Sequence, residues 1–244
     1  MKLTIRFAGR FRAALVPVLR LILIIMLAAC QPLPTGAPAT STAGTPGSTT
    51  AAAPVSGGVL RYGLTLPVSG IDPHIHANSE LGIALSSVYD TLVVQDKDGA
   101  FHPSLAEKWE VSPDGKAYTF TLRKDVKFHD GTPFNAAAVA ANLKRIADPA
   151  TKSQKAVFLL GPYEGSDVVD DYTVRIRLKE PYAPLLGGLS QVYLGMASPA
   201  ALAQWGDQYQ FHQAGTGPFK FVSYQQGQTL VLERNPDYAW APAV

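Results

Sequence analysis

The sequence has little cysteine and little charge, and each shortage excludes a class of protein. Cys30 is the single cysteine among 244 residues, so no disulfide can form within the chain. Charged residues make up 16% and hydrophobic residues 47%, which is too apolar for a disordered chain. The formal charge of +2 arises at the N-terminus, because residues 1–29 hold five cations and no acid, and residues 30–244 carry 16 cations against 19 acids. This balance argues against nucleic acid as a partner.

The first 30 residues have the pattern of a lipoprotein signal peptide. Residues 21–29 are apolar and would rise about 13 Å as a helix, far less than the roughly 30 Å of a bilayer core. Leu27, Ala28, Ala29 and Cys30 then form a segment that is similar to a bacterial lipobox. We therefore predict a signal peptide over residues 1–29 and lipidation of Cys30. The alternatives are an ordinary cleavage site before an incidental cysteine, and a retained membrane helix over residues 13–29.

Residues 30–56 are predicted to form a lipidated, disordered tether. The 26 residues from 31 to 56 include five Pro, three Gly, nine Ser or Thr and six Ala, and they carry no charge. Such a segment has almost no apolar surface to offset the entropy of an ordered chain. A flexible chain of this length spans roughly 25–30 Å, enough to hold a folded domain away from a membrane.

Residues 57–244 are predicted to fold into a mixture of short strands and helices. Residues 59–66 are predicted to be a first, largely buried strand that Pro67 ends, and residues 91–94 to be a second. A helix capped by Asn78 or Ser79 would follow the first strand, and its buried face would carry Leu81, Ala84, Leu85 and Val88.

In the middle of the chain, the alternation of apolar and polar residues that is typical of strands is clearer than in the preceding segments. Residues 109–111 and 118–122 flank a turn with Pro113 and Gly115, which predicts a hairpin. Residues 172–178 alternate between apolar and polar side chains, and Asn135 is placed to cap a helix that ends near Ile146. Short strands mixed with helices indicate an α/β or α+β architecture.

Several phrases occur in a distinctive order along the chain: Gly57–Gly63, Ile71–His74, Val88–Val93, Pro103–Phe120, Leu122–Phe134, Gly215–Phe221 and Leu232–Tyr238. Together they resemble the peptide/nickel-type extracytoplasmic solute-binding proteins (family 5) of ABC importers, and the resemblance covers residues 57–240. One departure is Ala136-Ala137-Ala138, where members commonly place an acidic residue early in the helix. That departure bears on helix stability rather than on binding.

The resemblance implies a type II periplasmic-binding-protein-like fold with two lobes that close on a ligand. It implies that this chain supplies only the first lobe, with a core at about residues 57–95 and 195–244 and an inserted subdomain at about residues 96–194. The second lobe of family members follows the point where this sequence stops, so we expect a truncated product or a fragment.

Two loops are the candidates for lining the ligand cleft of this lobe. They comprise Pro67, Val68, Ser69, Gly70 and Ile71 after the first strand, and Gly215, Thr216 and Gly217. Extended peptides are commonly held through backbone hydrogen bonds, which loops of this kind offer. Ordinary connecting turns are an equally good interpretation of any one of these residues.

Metal binding and catalysis have weaker support in the sequence. His74 and His76 are a poor metal signal without further ligands, so we predict no metal site and no cofactor. His129 and Asp130 are expected to form hydrogen bonds within a turn rather than to act as catalysts. No Gly-x-Ser-x-Gly or His-Glu-x-x-His motif occurs, and we identify no catalytic residue.

We therefore expect a monomeric, lipid-anchored receptor outside the cytoplasm, on the periplasmic or extracellular face of the membrane. It would capture peptides or related small solutes and deliver them to an ABC permease and its ATPase. The alternatives are a secreted lipoprotein hydrolase, a receptor for nickel or another metal complex, and a lipoprotein that docks with a partner protein.

Overall fold

The computed structural model describes residues 57–64, 70–78 and 80–241. The signal peptide, Cys30, the tether, Pro67, Val68, Ser69 and Ser79 lie outside the described residues. Contacts divide the chain into two units, residues 1–59 and 60–244. In the first unit the described residues 57–59 are exposed, and all the secondary structure given below lies in the second unit.

Helices and strands are mixed along the described chain. The helices are α1 (Leu81–Val88), α2 (Ala136–Ala147), α3 (Ala156–Leu160), α4 (Leu185–Leu189) and α5 (Pro199–Trp205). Short 3₁₀ helices cover Pro149–Thr151, Val192–Leu194 and Gly206–Phe211. The strands are β1 (Val93–Gln95), β2 (Phe101–Pro103), β3 (Ala106–Val111), β4 (Ala117–Leu122), β5 (Tyr163–Asp170), β6 (Thr173–Leu178), β7 (Phe219–Gln225) and β8 (Thr229–Arg234).

The largest sheet in the described residues has four antiparallel strands in the order β3-β4-β6-β5. Val111 lies opposite Tyr118 across the predicted hairpin, whose turn is therefore confirmed. Because side chains alternate between the two faces of a strand, one face of β4 and β6 is buried and the other meets solvent. The buried face consists of Tyr118, Phe120, Leu122, Val174, Ile176 and Leu178, as the sequence pattern predicts.

Helix α2 packs against β5 and β6 and covers part of the core. The side-chain oxygen of Asn135 accepts a hydrogen bond from the backbone N–H of Ala138 (2.9 Å), which confirms the predicted cap. Val139, Leu143 and Ile146 are all buried on the inner face. Fully burying an aliphatic side chain contributes about 1.5–3 kcal/mol, so this face outweighs the cap in holding α2 in place.

The predicted first strand is wrong for its described part. Residues 57–64 form no strand, and Val59 and Leu60 are 86% and 91% exposed. A strand requires a neighbouring strand to pair with its backbone, and none of the described strands pairs with these residues. The apolar pattern of residues 59–66 was therefore not sufficient evidence for a buried strand.

The remaining described sheets are two-stranded. β1 pairs with β2, close to the strand predicted over residues 91–94, and β7 pairs with β8. The β7–β8 ribbon exposes Phe219, Val222 and Val231, each by more than two fifths. A two-stranded ribbon has no neighbouring strands to cover its faces and edges, so these apolar side chains lie open to solvent.

Candidate ligand-binding site

The structure brings the described parts of the two candidate loops together. The side-chain amide of Gln213 donates a hydrogen bond to the backbone oxygen of Ile71 at 2.5 Å, across 142 residues of sequence. Both Gln213 and Ile71 are buried. Gly215, Thr216 and Gly217 begin two residues after Gln213, so this hydrogen bond holds Ile71 next to the segment that leads into the second candidate loop.

The candidate loop over residues 67–71, described from Gly70 onward, continues into a largely buried ionic cluster. We call it the Asp72 cluster: the side chains of Asp72, His74 and Arg145 with the backbone oxygen of Gly195. Arg145 donates two parallel hydrogen bonds to the Asp72 carboxylate, at 3.1 and 2.7 Å, and a third to Nδ1 of His74 at 2.8 Å. Since an arginine only donates, His74 Nδ1 accepts, and Nε2–H donates to the Gly195 oxygen at 3.0 Å.

The surroundings set the charges in the Asp72 cluster. Burial, opposed by the nearby Asp72 carboxylate, lowers the pKa of His74 from 6.5 to about 4, so the ring is neutral near pH 7. Burial alone would raise the pKa of Asp72, but the hydrogen bonds from Arg145 and the neighbouring charges hold that pKa below 3.8. The cluster therefore contains one ion pair, between the buried Asp72 and the partly buried Arg145, and a neutral histidine.

The Gly215–Gly217 loop packs tightly against the end of α1. A Cβ atom on Gly215 would lie 2.0 Å from the backbone oxygen of Val88, so only glycine fits there. Gly217 N–H donates to the same Val88 oxygen at 2.9 Å, and His129 N–H donates to the Gly215 oxygen at 2.8 Å. The loop is thus fixed by its own backbone.

Asp90 joins this loop to the C-terminal part of the described chain. Its carboxylate accepts hydrogen bonds from the Thr216 hydroxyl (3.0 Å), the Tyr238 hydroxyl (3.0 Å) and the Trp240 indole N–H (2.9 Å). Burial raises the pKa of Asp90, and these three donors oppose the rise. The three donors are neutral, so the carboxylate is held by hydrogen bonds without an ion pair in the described residues.

His129 and Asp130 lie in a turn, as predicted. Asp130 accepts from the backbone N–H and the hydroxyl of Thr132, at 3.0 and 2.6 Å, and also from the Ser198 hydroxyl. The His129 ring extends beyond the turn and bonds the Gly217 oxygen through Nε2 at 2.9 Å. Together these bonds connect the turn to the Gly215–Gly217 loop and to the start of α5.

The two histidines considered as metal ligands are differently placed. Both ring nitrogens of His74 have hydrogen-bond partners in the Asp72 cluster, while His76 is half-buried and packs against Gly70. Among the described residues, no group of three His, Cys, Asp or Glu side chains is arranged to hold a metal ion.

The structure also shows which anchoring residues sequence reasoning missed. Arg145 was placed at the end of a helix and Gln213 was not singled out, yet both contact the loop that begins at Gly70. The helix pattern could have indicated that Arg145 lies close to the inner face of α2, because it is three residues after the inward-facing Asn142 and one before Ile146. Its partner, 73 residues away, could not be identified from sequence spacing.

Four aromatic residues that could be considered for a ligand platform belong to the core instead. Tyr89 and Tyr118 are buried, while Phe101 and Trp109 are partly buried and pack against the core. The Tyr89 hydroxyl donates to that of Tyr209 at 3.0 Å, which satisfies its polar end.

With this geometry established, comparison with known proteins is informative. The family model described as "Bacterial extracellular solute-binding proteins, family 5 Middle" matches residues 100–244. The chain belongs to the family 5 solute-binding proteins. The glutathione-binding protein GsiB of Pectobacterium atrosepticum is 37% identical over 180 residues, which cover 74% of this chain and 34% of that protein. GsiB of Escherichia coli strain K12 is 38% identical over 175 residues, 71% of this chain and 34% of that protein.

Solved family 5 structures have the same fold. NikA from Brucella suis in complex with Fe(III)-EDTA aligns with a TM-score of 0.63 and 35% identity, over 74% of this chain and 36% of NikA. AgaA from A. tumefaciens R10, in complex with agropinic acid, aligns with a TM-score of 0.64 and 32% identity, over 71% of this chain and 35% of AgaA. DppA from Helicobacter pylori with the peptide STSA aligns with a TM-score of 0.62 and 30% identity, over 71% and 38%.

These likenesses establish the fold and the general class of the chain. It is a mixed α/β structure that corresponds to part of a type II periplasmic binding protein. The chain spans about a third of the length of the curated relatives it matches. Those relatives are binding proteins rather than enzymes. None of the helices in residues 57–64, 70–78 and 80–241 is long and apolar enough to cross a bilayer.

Proposed function

We propose that this chain provides one lobe of a lipid-anchored receptor that captures peptides or related small solutes for an ABC permease. The observation that carries the proposal is the hydrogen bond from Gln213 to Ile71, which holds one candidate cleft loop next to the segment that leads into the other, in a chain of the family 5 fold. The tight backbone packing of Gly215 and Gly217 supports a preformed binding surface. A preformed surface binds more tightly, because less ordering is needed when the ligand arrives.

A second lobe is part of the proposal. The β7–β8 ribbon exposes apolar side chains, including Phe219, Val222 and Val231. Apolar surface of this kind is expected where another part of a protein packs. The relatives also extend well beyond the matched region. We propose that a second lobe covers part of this surface and closes over the ligand.

Peptide-like solutes with carboxylate groups are the proposed ligands. GsiB is a glutathione-binding protein, and the DppA and AgaA structures are complexes with the peptide STSA and with agropinic acid; all three compounds carry carboxylates. A nickel-type ligand has less support, since His74 has no free ring nitrogen and His76 is its only histidine neighbour in the loop.

Isothermal titration calorimetry tests the proposal. The full-length product of the gene is titrated with reduced glutathione and with the peptide Ser-Thr-Ser-Ala, and residues 57–244 alone are titrated in parallel. Saturable heat is expected from the full-length product and much weaker heat from the single lobe, because a ligand held between lobes would lose half its contacts. Turnover of either probe into products would instead support an enzyme.

The proposed anchor requires a separate test. Cys30→Ser is expected to abolish incorporation of labelled palmitate and to move the protein from the detergent phase to the aqueous phase, since the thiol is the attachment point. Ser41→Ala, in the proposed tether, serves as the matched control and should change neither. An unmodified Cys30 in the wild-type protein would refute the anchor.

A further inference from the structure

Residues 70–78 contain no helix or strand, yet they are held by remote parts of the chain. The bonds come from separate segments of the sequence. They are Gln213 to the Ile71 oxygen (2.5 Å), Arg145 to Asp72 (2.7 Å), His74 to the Gly195 oxygen (3.0 Å), Gln154 N–H to the Ile75 oxygen (2.9 Å) and the Tyr193 hydroxyl to the Asn78 oxygen (2.7 Å). The geometry of this irregular segment therefore depends on tertiary contacts rather than on a local backbone ladder.

Arg145 makes the largest number of these hydrogen bonds. It comes from the last turn of α2, and its two terminal nitrogens make three hydrogen bonds to Asp72 and His74. Asp72 in turn accepts from the backbone N–H of His74 at 2.9 Å, which shapes the turn itself. A planar guanidinium matches a carboxylate with two parallel bonds, which a lysine ammonium cannot reproduce.

We propose that Arg145 is a positioning residue of the receptor: through Asp72 and His74 it fixes Gly70 and Ile71 at the edge of the ligand cleft and so sets ligand affinity. It acts through these two side chains, to which three of the five N–H donors of its guanidinium are bonded. The part that concerns affinity rests on the proposed function. The part that concerns the loop rests on the Asp72 cluster alone.

Three variants of the full-length gene product separate these parts. Arg145→Met removes the guanidinium and keeps a long apolar side chain. Arg145→Lys keeps the cation but loses the paired hydrogen bonds. Lys144→Met is the matched control, since Lys144 is an exposed cation in the same turn of α2.

Hydrogen–deuterium exchange measures the loop, and calorimetry with glutathione and Ser-Thr-Ser-Ala measures affinity. We expect Arg145→Met to speed exchange in residues 70–78 about tenfold or more while Phe120, in the centre of the sheet, exchanges as in the wild type. The Kd of the probe that binds should rise in parallel. Arg145→Lys should give intermediate values of both, and Lys144→Met should leave both unchanged.

Each contrary result has a separate meaning. If Arg145→Met speeds exchange in the sheet as much as in the loop, Arg145 is only structural and the proposal is wrong. If the loop loosens while the Kd stays constant, Arg145 does not set affinity, and the proposal is again wrong. If the wild-type protein binds neither probe, the proposed function fails, and the exchange data still decide whether Arg145 positions the loop.

Discussion

At the scale of single residues, the buried polar groups around the candidate site differ in how they are stabilised. The Asp72 carboxylate has an arginine partner, whereas the Asp90 carboxylate has three neutral donors. Burying a carboxylate costs free energy that an ion pair or several hydrogen bonds must offset. The two aspartates should therefore respond differently to loss of charge.

Replacing Asp90 tests this difference. Asp90→Asn keeps acceptor oxygen for the Thr216 and Trp240 donors and removes the buried charge, so the free energy of unfolding should change by less than about 1 kcal/mol. Asp90→Ala leaves three donors without an acceptor and should lower the free energy of unfolding by about 2–4 kcal/mol. Urea denaturation gives both values. Equal losses in the two variants would show that the charge itself is required.

His74 should make stability depend on pH. Its pKa is about 4 in the folded protein and 6.5 in a free histidine, so the unfolded chain binds more protons between these values. The contribution of His74 is complete above pH 6.5 and is lost as the pH falls toward 4, a change on the order of 3 kcal/mol. His74→Gln should flatten that part of the stability profile. An unchanged slope between pH 6.5 and 4 in His74→Gln would contradict this assignment.

At the scale of elements, local signals predicted helices and hairpins well. The Asn135 cap, the inner face of α2 and the turn after Val111 all depend on residues close together in sequence, and all three are confirmed. The prediction of a first strand was wrong over residues 57–64, because a strand needs a neighbouring strand to pair with and sequence periodicity does not identify that neighbour. The Asp72 cluster was missed for the same reason, since it joins residues 73 apart.

The start of α2 supplies a prediction at this scale. Asn135→Ala removes the cap and should lower the free energy of unfolding by about 1 kcal/mol. Ala137→Glu places a negative charge in an exposed position of the first turn and should raise it by about 0.3–1 kcal/mol, because the first turn of α2 has no acid. Ala141→Glu adds the same charge at an exposed mid-helix position and should have little effect. Thermal unfolding monitored by circular dichroism distinguishes the three variants.

At the scale of the whole molecule, the described residues form part of a type II binding-protein fold. In it, the hydrogen bond from Gln213 holds Ile71 next to the segment that leads into Gly215–Gly217. The family and fold could be predicted from the order of short phrases along the chain, and the family model confirms the family through its match to residues 100–244. Contact of Gly70, Ile71 and Gly215–Gly217 with a ligand stays a prediction, as does the division into a core and an inserted subdomain.

The central claim is that a peptide-like ligand lies against these loops. Differential hydrogen–deuterium exchange of the full-length gene product, with and without saturating glutathione or Ser-Thr-Ser-Ala, tests it most directly. We predict slower exchange in residues 67–71 and 213–217 and no change around Arg175 on the outer face of the sheet. Protection confined to that outer face, or the absence of saturable binding to both probes, would contradict the account.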